Sequence, residues 1–224
     1  MNIEKFVNSK IYRFFDWVWR ITVLNILTLI TSLGIITFLP SITACYKTIY
    51  DYTAGEEKNV FSAYFRNLKN NFIRPLEGNI FIIGAAIVFV VALIFYSETS
   101  EGVGILTTIS VIGFYFVAFA MVLLLLITIQ LPMIYTHFNF RYFDNFRFAF
   151  YVATKHIASS LGCVLIIALE VLLYIVFVPL WAVTCLSIPI LAGHLLFKKT
   201  YWMLIHQENQ DLMERKDGSN ETRN

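Results

Sequence analysis

Between Gly102 and Thr136 the chain carries no charged side chain, and Met121-Val122-Leu123-Leu124-Leu125-Leu126-Ile127 lies at the centre of that stretch. An α-helix rises about 1.5 Å per residue, so ~20 apolar residues suffice to cross a ~30 Å hydrocarbon core. No water-exposed helix of this length hides such a surface. A backbone inside a bilayer must also satisfy its own hydrogen bonds, which leaves helices as the spanning element here. The expected fold class is therefore all-α, a polytopic transmembrane helix bundle with amphipathic helices at the interface.

Composition agrees, with 58% hydrophobic and 14% charged residues in 224. Ordinary soluble domains run near ~25% charged. Cys45, Cys163 and Cys185 all lie in apolar runs and read as small buried hydrophobes, not as a disulfide set or a ligand cluster. A net charge of +2 gives no reason to expect nucleic acid.

Read in order, residues 1–20 mix Lys5, Lys10, Arg13 and Arg20 with Phe6, Phe14, Phe15, Trp17 and Trp19. That mixture predicts an interfacial helix with aromatic rings at headgroup depth. A cleavable signal is not expected, because the run ends in Phe38-Leu39-Pro40 instead of small residues. Five spans are expected within a membrane domain at 21–198: about 21–39, 79–96, 103–131, 157–178 and 180–197. A polar tail follows at 199–224. Pro40, Pro132 and Pro179 are read as helix breaks, and with a kink near 34–40 the first segment can also re-enter without crossing. In the long polar connection, Val60, Phe61, Tyr64, Phe65, Leu68 and Phe72 recur at helical spacing, which predicts an amphipathic surface helix. Phe146, Phe150, Ala153 and Ile157 form a comparable stripe later.

These stretches hint at an internal duplication. Leu39-Pro40 and Leu131-Pro132 are each followed by a basic amphipathic stretch and another apolar run. Phe61, Phe65 and Phe72 match Phe146, Phe150 and Ile157 at one constant separation. Placing the two polar connections and the tail in the cytoplasm puts thirteen of the seventeen Lys and Arg inside and leaves the acidic loop 97–102 outside. Five crossings would then strand the basic amino-terminal residues on the wrong face, which a re-entrant first segment would correct.

Asn25-Ile26-Leu27 through Ser32-Leu33, Leu39-Pro40, Gly55-Glu56-Glu57 and Val60-Phe61-Ser62-Ala63-Tyr64-Phe65 to Asn71-Phe72 resemble the YesL family, also called DUF624. Leu131-Pro132, Arg141-Tyr142-Phe143-Asp144 and Ala153 to His156 extend the likeness over most of the chain. The resemblance implies an integral membrane protein of bacteria, in a family often encoded near carbohydrate-uptake and glycan-degradation genes and without an established activity. It carries no catalytic residue over.

Four polar groups lie inside the expected spans: Asn25, Gln130, Glu170 and His194. Glu170 stands out, since an ionised carboxylate in hydrocarbon is costly and marks either a site or an interhelical bond. His137, His156, His194 and His206 have no ligand spacing, so neither metal nor cofactor is expected. No serine, cysteine or aspartate sits in a nucleophile motif, and no enzyme is expected. Arg66, Lys69, Arg141, Arg147 and Lys155 are candidates for contact with lipid headgroups or a partner. Two functional readings follow. One is an accessory multi-pass protein of the cell membrane, linked to carbohydrate uptake or glycan utilisation, with the lipid bilayer and a sugar-transporter subunit as partners. The other is a small transporter or channel in which Glu170 binds a proton or cation.

Overall fold

The computed structural model describes residues 10–55, 59–100, 104–177, 184–197 and 201–203, and every regular element among them is helical. Helix α1 (Lys10–Ser32) is followed by a 3-10 turn at Ile35–Thr37, α2 (Phe38–Thr53), α3 (Val60–Asn70) and α4 (Ile73–Thr99). Then come α5 (Ile105–His137), α6 (Tyr142–Lys155), α7 (Ile157–Val176) and the shorter α8 (Ser187–Phe197).

Four described helices are long and apolar enough to cross a membrane: Phe14–Ser32 within α1, then α4, α5 and α7. Of the fifth expected span, 180–197, the described residues are 184–197, which hold the eleven-residue helix α8. Pro179 lies outside the described residues. So do residues 1–9 of the expected interfacial helix, and the tail beyond 203. The boundary expected at 199 also moves, because Tyr201 is buried in the core beside Phe138 and Phe197.

The boundary expected at residue 20 does not exist. Nothing between Lys10 and Ser32 breaks a helix, and Arg20 is paired one turn back with Asp16 at 2.7 Å. The break comes at Leu33-Gly34 instead. Thr37 makes it tolerable, its hydroxyl donating to the carbonyls of Thr31 at 2.6 Å and Gly34 at 2.8 Å. Pro40 is correspondingly no break: it sits in the first turn of α2, where a helical amide has no partner to lose. Pro132 is no terminator either. It lies inside α5, which runs on to His137 because Leu131, Met133, Ile134 and Tyr135 around it are packed into the core.

Across the break α1 and α2 fold back as an antiparallel hairpin. Arg20 lies over the Tyr52 ring, Leu24 packs with Ile49, and Thr28 meets Cys45, so contacts climb one helix as they descend the other. The turn is fastened to α4 by Asn79, whose Nδ2 donates to the carbonyls of Ile35 at 2.8 Å and Ile36 at 2.7 Å. Asn79 is only two turns into α4, and twenty further residues, about 30 Å of helix, continue past the hairpin tip.

The two halves of the chain meet where α2 lies along the end of α5. Leu39 and Tyr46 share one core with Leu131, Met133, Ile134 and Phe138. The duplication has a backbone counterpart as well. Asn71 joins α3 to α4 with φ −117° and ψ 39°, and His156 joins α6 to α7 with φ −113° and ψ 47°. These joints are equivalent under the separation that relates Phe72 to Ile157. The buried positions correspond too: Val60, Tyr64 and Asn67 on α3, and Asn145, Ala149 and Val152 on α6.

In both surface helices the buried face is rotated from the expected aromatic stripe. Phe61 and Phe65 are 55% and 50% exposed, while Ala63 and Asn67 turn inward. Asn67 explains the rotation, because its Nδ2 donates to Asp51 at 3.0 Å and to Thr48 at 3.2 Å on α2. Asn59 caps α3 from outside by accepting from the amides of Phe61 and Ser62.

Candidate functional site

The densest polar chemistry lies where α2, α5 and α8 converge, around Tyr46. Its hydroxyl stands 3.3 Å from His137 Nε2 and 3.3 Å from His194 Nδ1. His194 Nε2 is 3.4 Å from the Thr53 hydroxyl, which spends its own proton on the Tyr50 carbonyl at 2.7 Å. Hydroxyls and ring nitrogens thus line up from His137 through Tyr46 and His194 to Thr53, whose own proton goes to the Tyr50 carbonyl. Burial, and then the neighbouring Tyr50, push the Tyr46 phenol up, so it holds its proton.

Aromatic edges close around the two imidazoles. Tyr50 meets His137 edge-on at 4.7 Å between centroids, and Tyr201 stacks on His137 at 5.8 Å. Lys47 bonds Asp51 at 2.9 Å and stands 5.0 Å from the Tyr50 ring centroid. Of this cluster the sequence reading singled out only His194. Tyr46 and Tyr50 lie one turn apart on α2 and His137 at the end of α5, and no local spacing announces the approach of the two helices.

Of the other three intramembrane candidates, Gln130 is joined to this cluster through Tyr201, and Asn25 and Glu170 both bond the short segment 184–187. Asn25 is fully buried, and its Oδ1 accepts from the amides of Leu186 at 3.0 Å and Ser187 at 3.2 Å, and from the Ser187 hydroxyl at 3.4 Å. It therefore caps α8, supplying the acceptor that a helix's first amides lack. Gln130 is also fully buried; it donates to Ser160 at 3.2 Å and accepts from Tyr201 at 3.4 Å. Glu170 is buried on α7 and accepts from the Thr184 hydroxyl at 3.1 Å. Each bonds a residue outside its own helix.

Beside Tyr46 lies a cavity of about 450 Å³, bounded by α2, α4, α5, α7 and the segment 185–193, with Leu39, Ala86, Leu125, Thr128 and Gly193 among its walls. Glu170 is not one of its lining residues. The cationic candidates sit elsewhere, exposed on α3 and around α6: Arg66 and Lys69 on the first, Arg141 and Arg147 at the start of the second. Lys155 donates to the Tyr151 hydroxyl on the same helix at 2.6 Å. Among the described residues no group of His, Cys, Asp or Glu has a metal-binding arrangement.

Residues 21–97 match the family described as protein of unknown function, DUF624. No curated protein and no solved structure matches the chain.

Proposed function

We propose, for a chain whose residues 21–97 match the DUF624 family, that it is an accessory multi-pass protein of a bacterial cell membrane. In this reading it serves carbohydrate uptake or glycan utilisation and works by helix packing against a sugar-transporter subunit. The supporting observation is the commitment of its intramembrane polar groups: Asn25, Gln130 and Glu170 each bond another part of the same chain, and the large cavity between the helices is walled by apolar side chains. A solute pathway needs polar groups directed into a cavity, as the transporter reading of Glu170 requires. The exposed cations of α3 and α6 offer the docking face.

The same reading makes the α1–α2 hairpin re-entrant. Its tip stops beside Asn79 with about 30 Å of α4 still ahead, so the amino end returns to the side of the polar connections and its basic residues join the others in the cytoplasm. A reporter enzyme fused at residue 10 should be active only in the cytoplasm. For the functional reading, purification in mild detergent should bring down a transporter subunit, and deletion should impair sugar uptake. Normal uptake with no co-purified subunit would reject it.

A further inference from the structure

We propose that the cavity beside Tyr46 is a lateral binding site for one acyl chain of a bilayer phospholipid. Protein interiors leave few voids larger than a water molecule, and cavities of roughly 300–1,000 Å³ are typical of ligand sites. At about 450 Å³ this one falls within that range. Its chemistry selects hydrocarbon. Among its lining side chains only Tyr46 and Thr128 carry hydroxyls, and both are spent: Thr128 donates to the Leu124 carbonyl at 2.8 Å, and Tyr46 lies between the two imidazoles. The thiols of Cys163 and Cys185 are weak partners. A polar solute entering here would lose its hydration without replacement, which is costly.

The way in also selects the source. Phe38, Met121, Leu125 and Ile167 line the cavity and are each more than a third exposed, the last three on helices long and apolar enough to cross a membrane. The rim therefore faces bilayer hydrocarbon, and a chain can enter sideways while its headgroup stays outside. Gly193 keeps the opposite wall thin, since a Cβ there would meet the Met133 methyl at 2.7 Å.

The test uses the full chain in detergent micelles, titrated with dioleoyl phosphatidylglycerol and read by native mass spectrometry. One phospholipid per chain should be retained. Ala86→Phe, which fills the cavity from α4, should weaken that retention at least tenfold, while Val91→Phe on the exposed surface of α4 should leave it unchanged. Equal retention in Ala86→Phe and wild type, or equal loss in both variants, would overturn the proposal. Should Ala86→Phe not fold, a dibrominated acyl chain soaked into crystals of the wild-type protein decides. Bromine between α4, α5 and residues 185–193 supports the site, and bromine confined to the outer surface overturns it.

Discussion

Asn25→Ala is the perturbation whose cost follows most directly from geometry. The substitution removes one acceptor and leaves two amides, Leu186 and Ser187, without a partner at a fully buried position. Loss of a helix N-cap costs ~0.5–2 kcal/mol and an orphaned buried donor ~1–3 kcal/mol. These overlap, since the cap is the partner that is lost, so about 2–4 kcal/mol is expected in total. For a chain of this size about 1 kcal/mol corresponds to ~2–4 °C, which puts the fall in Tm at roughly 5–15 °C. Asn25→Asp keeps an acceptor at the same place, and a helix N-terminus favours negative charge, so it should recover at least half of the loss. Thermal melts of the three proteins in nanodiscs, read together with proteolysis of the α8 region, measure both effects. If Asn25→Ala melted within about 1 °C of wild type with α8 still protected, the capping argument would be wrong.

Three other outcomes are expected. Glu170→Gln should fold and melt like wild type because Thr184 keeps its partner, and Glu170→Leu should cost at most ~1–2 kcal/mol; a Gln variant that melts normally yet fails to complement a deletion would instead favour the ion-binding reading. Tyr46→Phe removes the hydroxyl that bridges His137 Nε2 and His194 Nδ1 and should destabilise by ~1–3 kcal/mol, checked by the same melts, with an unchanged Tm refuting the bridge. Burial pushes the Cys45 thiol up to about 12 against opposing bonds from Thr28 and Ser187. At pH 8 its thiolate fraction is then about a thousandfold below that of an ordinary cysteine, so a Cys45-only variant should resist maleimide until detergent unfolds it, and prompt labelling of the folded protein would contradict its burial.

The helices themselves were legible in the sequence because membrane spans are written locally, as uninterrupted apolar runs. The ends of α4, α5 and α7 differ from expectation by only a few residues at most termini. The prolines misled for a positional reason. Whether Pro breaks a helix depends on whether its missing amide falls in a first turn, as at Pro40, or in an interior held by packing, as at Pro132. The rotation of α3 was hidden because it depends on Asn67 finding Asp51 and Thr48 on another helix. Tyr46 escaped notice likewise: an aromatic in an apolar run looks like packing until two histidines arrive from residues 137 and 194.

The Asn25 contact also sets an order of events during synthesis. The acceptor is made with the first helix, but the amides it serves come more than 160 residues later. Until then the carboxamide has no α8 to hold. The nascent protein is thus unfinished in a chemically readable way, and arrival of α8 closes it as a latch. Chains truncated before residue 186 should remain on the membrane insertase or be degraded.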